Sequence, residues 1–505
     1  MSDWSDGYVT KVGYSANYYQ HLLPRLLAFA ALSRGVAAPG GGSEALRVLE
    51  LGCGQGVSAN IIAAANPELD YTAIDFNPAH IANARALAGA AGTPNVHFLE
   101  SSFEDIANDP ASGRFDVVTL HGIYSWVSAA NREHIIRIAR GKLRPGGMLY
   151  LSYNTYPGWA TFVPIRKMLT DTIADNPNAP IFDQLDEGYR LFEQLTKLKS
   201  KYIHAIPGLV SYIEQLKGQD RSYVVHEFLN QDWTLFNFSE VAADMARAKL
   251  SYVGSAFLLD HIDGLNLTAE QREFLAAIRD PIRRESLRDL IVNQRFRRDI
   301  FMKGILPLDD GRLQQAWANL RFALSRTASD ALKNIEDSPW DAAHRAIQQQ
   351  VVKKLDAAPQ TGRELLAELQ NTDPAAFRRS MIFLVGKEYC HVVPPDAGES
   401  ERNKRTAALN RAILYDGHRC NHLASPVLGE AVAVDEITRL ILRSTHENIA
   451  DPVNFIWQSL KSQGKAILKD GKALDSEEKN IAEVRRRIVD FEAGKRRMLA
   501  TLEVY

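Results

Sequence analysis

Gly52, Gly54 and Gly56 alternate with Cys53 and Gln55 directly after the apolar run at 47–51, and residues 57–65 read as a helix. Strand, glycine turn and helix in that order place free amides at a helix N-terminus, where an anionic group of a ligand is held. Alternate glycines let the main chain approach that ligand with no Cβ in the way. Residues 71–74 form a second short strand ending in Asp75-Phe76. An acidic residue about 20 positions beyond the glycines, at the tip of the second strand, takes the hydroxyls of a ribose. The chemistry is that of holding a nucleoside with a charged tail. The tight spacing departs from the G-x-G-x-x-G of dinucleotide enzymes.

Elements must position these groups, and the chain supplies them. Strands are expected at 47–51, 71–75, 96–99, 115–120 and 148–153, with helices between them that include 78–90 and 131–142. Alternation of this kind gives an α/β, Rossmann-like parallel sheet with helices on both faces. Ligands then gather at the C-terminal ends of the strands. Phe76 is placed to pack on a nucleobase, and Ser102 and Phe103, after the third strand, to flank it. The fourth tip, residues 120–128, and the fifth, residues 152–159, are rich in aromatic and polar side chains. From Thr119 to Ser128 there is no Asp or Glu. That argues against an acceptor site built on a divalent metal, which needs carboxylate ligands.

Composition narrows the class. The chain has 505 residues, 46% hydrophobic and 24% charged, as in soluble globular proteins. That length suggests about two to four domains. The net charge of −2 gives no global attraction to nucleic acid or an anionic membrane. The N-terminus lacks the pattern of a signal peptide and no apolar run is long enough to span a bilayer. Three cysteines, Cys53, Cys390 and Cys420, suggest no disulfide framework, and a cytoplasmic protein is expected. His418-x-Cys420-x-His422 is not a usual structural zinc spacing, so no metal is expected.

Glu50-x-Gly52-x-Gly54-x-Gly56 with Asp75 resembles the class I S-adenosylmethionine (SAM) methyltransferases. His121-Gly122-Ile123-Tyr124-Ser125-Trp126 and Ser152-Tyr153-Asn154 to Pro157-Gly158-Trp159 are similar to bacterial methyltransferases with an attached methyltransferase regulatory domain. His226-Glu227-Phe228-Leu229-Asn230 and the run from Asn293 to Asp299 extend the similarity over roughly residues 8 to 305. That group includes the rickettsial outer-membrane-protein lysine methyltransferases. The resemblance implies a mostly parallel seven-stranded sheet with SAM on Glu50, Gly52, Cys53, Gly54, Gly56, Asp75, Phe76, Ser102, Phe103 and His121. Many relatives carry aspartate where Ser102 stands. In the N-terminal segment, residues 1–46, Tyr8, Tyr14, Tyr18 and Tyr19 precede a helical run at 21–32, and they either pack against the next domain or form a lid over the cofactor with Tyr8 or Tyr14 near the methionine end.

The remainder divides by pattern. The SAM-binding core is expected over 47–159. Residues 160–245 are a helical insertion, with helices at 162–173 and 189–203, that covers the acceptor or makes a homodimer contact. Residues 246–306 finish the core with strands at 250–259 and 299–303. Between them lie seven arginines against three acidic residues from Arg279 to Arg298, read as solvated helix faces. A helical linker at 307–338 leads to a winged-helix-like unit at 339–396. Its residues 361–396 carry four basic and five acidic side chains, so protein contact is expected rather than DNA. A polar linker at 396–405 opens a mostly helical C-terminal region, 397–505.

Methyl transfer needs an in-line acceptor that has lost its proton, and a lysine amine has a pKa of about 10.4. Aromatic side chains hold the resulting ammonium. Tyr124, Trp126, Tyr153 and Trp159 are the candidates for such a channel. Asn154 and His226 are further acceptor contacts, His121 is the base or a positioning residue, and Tyr153 is a second catalytic candidate. Three readings stay open: a protein lysine methyltransferase, a small-molecule or cell-surface-sugar O- or N-methyltransferase, and a SAM-binding regulatory scaffold. The roughly 200 residues beyond the core favour a macromolecular acceptor.

Overall fold

The computed structural model describes residues 17–39, 45–175, 178–369, 372–415, 420–469 and 472–505. Five strands, β1 (Leu46–Leu51), β2 (Leu69–Asp75), β3 (Val96–Glu100), β4 (Phe115–Leu120) and β5 (Leu143–Asn154), pair in parallel. Two more, β6 (Ser251–Ser255) and β7 (Phe296–Met302), complete a sheet of order β3-β2-β1-β4-β5-β7-β6. β7 runs antiparallel to both of its neighbours. The order reverses between β1 and β4, which opens a crevice at their C-terminal ends.

Helices α1 (Pro24–Ser33), α2 (Val57–Ala65), α3 (Pro78–Ala91), α4 (Phe103–Asn108) and α5 (Ala129–Lys142) flank the sheet. Their ends follow from local chemistry. Pro24 sits in the first turn of α1, where its missing N–H costs nothing. Asn77 caps α3 through its side chain, and Ser102 with Asp105 makes a capping box on α4. One apolar core lies on the α1 face, around Val48, Tyr150 and Ile300. A second, around Leu49, Leu151 and Phe301, lies on the α5 face. Successive strand residues enter opposite cores, as a pleated strand requires.

Several expected boundaries are corrected. The run at 21–32 is a 3-10 turn, Gln20–Leu22, followed by α1, because Pro24 starts a new helix. The helix expected at 189–203 is two, Ile181–Lys197 and Lys201–His204, broken where Lys199 takes φ 56°. The strand expected at 250–259 stops at Ser255 and turns into a 3-10 helix, Leu258–His261. Residues 307–338 are not only a helical linker. They contain β8 (Arg321–Leu324), the central strand of a small antiparallel sheet with β9 (Gln360–Thr361) and β10 (Cys390–Val393). The expected polar linker at 396–405 is mostly the start of a helix, Glu399–Tyr415, with Arg402 buried. The C-terminal region expected to be mostly helical, 397–505, also holds a hairpin of β11 (His422–Ser425) and β12 (Glu430–Ala433). No helix among the described residues is long and apolar enough to cross a membrane.

Candidate active site

A cavity of about 230 Å³ opens at the tips of β1, β2 and β4. Its lining includes Glu50, Gly52, Cys53 and Gly54 after β1, Asp75, Phe76 and His80 after β2, and Ser102 and Phe103 after β3. His121 and Trp126 line it beyond β4, and Asn17 and Tyr19 close it from the N-terminal side. The crevice predicted by strand order is thus the crevice observed.

The glycine loop is built for close approach. Gly54 has φ +53°, and a Cβ there would point into space with no protein atom within 4 Å. That is a cradle for a ligand rather than a packing contact. Gly56, φ +69°, has the opposite reason. A Cβ would meet Ala84 Cβ at 2.4 Å, so only glycine lets α2 lie against α3. The loop also adjoins the acid. Gly54 N donates to Asp75 Oδ2 at 2.9 Å, and Asn77 N donates to Asp75 Oδ1 at 2.9 Å. His80 Nδ1 lies 3.2 Å from the same Oδ1 and fixes the carboxylate's orientation. A carboxylate accepts about four hydrogen bonds, so with these three in place capacity remains for a ribose hydroxyl.

Glu50 is buried at the floor and accepts from Tyr71 Oη at 2.8 Å. Burial pushes its carboxyl up to about 7, against the lowering effect of the Tyr71 bond, with the Asp75 charge pushing the same way as burial. A cationic amino end beside it would favour its ionised form. Burial also pushes the Cys53 thiol well up, so that sulfur is inert. These residues fit a nucleoside carrying an amino-acid tail.

At the other end, His121 Nδ1 lies 2.7 Å from Tyr150 Oη, and its ring packs on Tyr19 with centroids 4.3 Å apart. Phe296 meets it edge-on at 5.9 Å. Burial, helped by the Arg298 charge, holds the imidazole at about 3, so it stands neutral at physiological pH. Gly122 N donates to Ser152 Oγ at 2.8 Å and pins the loop after β4.

Several expected acceptor contacts lie elsewhere. Tyr124 is fully buried and donates to Asp244 Oδ2 at 2.8 Å. Tyr153 is buried on the α5 face and donates to Asp299 Oδ2 at 2.6 Å, so it does not reach the cavity and is not a catalytic group there. Asn154 is buried, with its backbone N donating to Ser125 Oγ at 2.8 Å. Trp159 packs in the core of the helical insertion against Phe162 and Phe228. His226 is buried in the helix Arg221–Phe228, outside the cavity lining. Of the expected aromatic channel, only Trp126 lines the cavity. Of the N-terminal tyrosines, Tyr19 lines the cavity, while Tyr8 and Tyr14 lie outside the described residues. The residues missed are Asn17, His80 and Tyr150. Tyr150 was legible, because period two places it with Ser152 and opposite Tyr153.

Sequence profiles of two families match: a methyltransferase domain over residues 49–149 and a predicted methyltransferase regulatory domain over residues 220–303. An uncharacterized protein of Synechocystis sp. is 36% identical over 511 residues, 99% of each chain. One from Rickettsia prowazekii is 28% identical over 303 residues, 59% of this chain and 53% of that protein. The fold is shared with PKMT2 from Rickettsia typhi, solved in complex with AdoHcy, at a TM-score of 0.63 and 19% identity over 94% of this chain and 97% of that one. The second profile takes in β6 and β7, so the segment named regulatory is part of the catalytic sheet. With the glycine cradle, the adjoining Asp75 and these matches together, the chain belongs to the class I methyltransferases that carry this regulatory segment, enzymes whose methyl donor is S-adenosylmethionine.

Proposed function

We propose that the methyl acceptor is the side-chain amine of a protein lysine. The observation that carries this reading is the burial of His121 among Tyr19, Tyr150 and Phe296. The ring lines the cavity beyond β4, and burial with the Arg298 charge holds it at about 3, too weak a base to take a proton from a hydroxyl. The acids lining the cavity among the described residues are Glu50 and Asp75, both on the cofactor side. An alcohol or sugar acceptor would need a base that the described residues lining the cavity do not offer. A lysine amine needs only to lose its proton to water before attack, and an apolar cavity favours the neutral amine.

SAM supplies an electrophilic methyl carbon on a sulfonium. The chain's part is binding and alignment. The N-terminal amides of α2 would receive the carboxylate end, with Gly54 leaving room for it, Glu50 the amino end and Asp75 the ribose. His121, held by Tyr150 and Tyr19, orients the acceptor nitrogen as a neutral hydrogen-bonding group. Trp126 offers a ring face to the ammonium that forms. Alignment alone contributes several kcal/mol or more. The resemblance to rickettsial lysine methyltransferases points the same way.

Incubation of the enzyme with methyl-labelled SAM and cell extract tests the reading. Label should enter the protein fraction and appear as methyl-lysine after hydrolysis. Label confined to small molecules would overturn it in favour of a metabolite acceptor.

A further inference from the structure

A second cavity, of about 310 Å³, lies at the β6 edge of the sheet, away from the glycine loop. A bulge between Tyr252 and Gly254 interrupts the pairing of β6 with β7 there. Arg34, directly after α1, packs its stem on Gly254, where an added Cβ would meet Arg34 Cγ at 3.0 Å. The lining is mostly polar and charged, unlike the SAM crevice.

The charges can be matched pair by pair. Arg297 is buried and bonded to Glu285, Asp289 and Asp299 at 3.1, 2.6 and 2.8 Å. Glu285 lies also 3.4 Å from the donating Tyr252 Oη, and Asp299 accepts also from Tyr153. Asp260 accepts from Ser255 Oγ at 2.9 Å and sits 3.4 Å from Arg288. His261 donates through Nε2 to Ser255 O at 2.7 Å and lies 2.5 Å from Ser33 Oγ through Nδ1, and burial, with Arg34 beside it, holds the ring at about 4, so it adds no charge. The carboxylates are thereby largely occupied. The guanidinium groups are not. Among the described residues no ion pair closes on Arg34, Arg272 or Arg284, all of which line the cavity, while Asp263 is the lining acid left without one. Counted with Asp289, five carboxylates, three of them sharing Arg297, balance five guanidinium groups, so what the lining offers a ligand is the forks of the three arginines without an ion pair, the geometry that binds phosphate oxygens in pairs. At the floor, Asp299 Oδ1 is fully buried with no hydrogen-bond partner. It is an acceptor waiting for a hydroxyl donor.

We propose that this cavity binds a small phosphorylated metabolite bearing free hydroxyls, with the phosphate on Arg34, Arg272 and Arg284 and a hydroxyl reaching Asp299. The volume suits a molecule of sugar-phosphate size and is too small for a nucleic-acid strand. The site stands apart from the choice of methyl acceptor.

Calorimetry on the full chain, with inorganic phosphate, glucose 6-phosphate and citrate as probes, tests this. Glucose 6-phosphate should bind, and more tightly than inorganic phosphate. Arg34→Gln and Arg284→Gln should each weaken it at least about tenfold, the loss of a charged bidentate contact. SAM affinity should stay unchanged in both variants, which shows that they fold. Absence of binding by both phosphates, equal binding by the variants, or citrate binding in their place would overturn the assignment.

Discussion

At the scale of single residues, Glu50 makes the most specific demand. It is buried, and its carboxyl sits at about 7 when the cavity holds no cation. The positive charge of SAM favours the carboxylate, so the pKa falls on binding. Between the two values binding releases a proton, and affinity rises with pH. The release should be about half a proton near pH 7, approach one near pH 6 and vanish above about pH 8. Calorimetry in two buffers of different ionisation heat reads this directly. Glu50→Gln should abolish both the release and the pH dependence below 7. Persistence of the release in that variant would place the proton on another group. The acid of the glycine motif was legible in sequence, but its protonation was not. That depends on burial in the folded sheet, which outweighs the opposing bond from Tyr71, 21 residues away in the chain and 2.8 Å away in space.

At the scale of elements, β7 is the strand on which the two cavities depend. Phe296 and Arg298 face His121 and Tyr150, while Arg297 and Asp299 point to the other side. Adjacent arginines therefore have different consequences. Arg297→Met leaves Glu285, Asp289 and Asp299 without their common cation, at a cost of about 3–5 kcal/mol. Arg298 is half-buried over Phe257 and Phe296 with no ion pair among the described residues, and Arg298→Met should cost about 1 kcal/mol or less. Denaturant titration compares the two, and equal losses would refute the alternation. The run from Arg279 to Arg298 reads in sequence as a solvated charged face, and composition cannot tell that from a buried ionic cluster. The difference lies in which arginines fall on the inward phase of a strand. The same phase argument explains why Tyr153 was misassigned and Tyr150 missed. Elements fixed by local signals fared better: α2 begins directly after the last glycine, and α3 begins at its proline after a capping asparagine.

At the scale of the whole molecule, the C-terminal region is part of what holds the SAM site together. The helix Glu399–Tyr415 lies across the outer faces of α2 and α3, and Val57, Ile61, Ala64, Leu87 and Ala91 share one core with Leu409, Ala412 and Ile413. Polar ties reinforce it. Arg405 Nη1 donates to Asn95 Oδ1 at 2.7 Å, and Asn66 Nδ2 donates to Gly429 O at 2.8 Å. The N-terminal segment is clasped from both sides. Tyr19 N donates to Ser58 Oγ at 3.0 Å on α2, while the neighbouring Tyr18 Oη lies 3.4 Å from Glu430 of β12, which also pairs with His391 of β10. A helix whose outer face is covered in this way cannot keep its N-terminal amides in place once the cover leaves. The glycine loop and the C-terminal region should then unfold as one cooperative unit. SAM at about 100 times its Kd stabilises the native state by about 2.7 kcal/mol, which slows globally limited amide exchange about 100-fold. Hydrogen exchange resolved by residue should show that slowing at the amides of β11 and β12 as fully as at those of β1 and β2. If the hairpin amides exchange at an unchanged rate while the sheet is protected, the C-terminal region opens by itself and its contacts with α2 and α3 do not sustain the cofactor site.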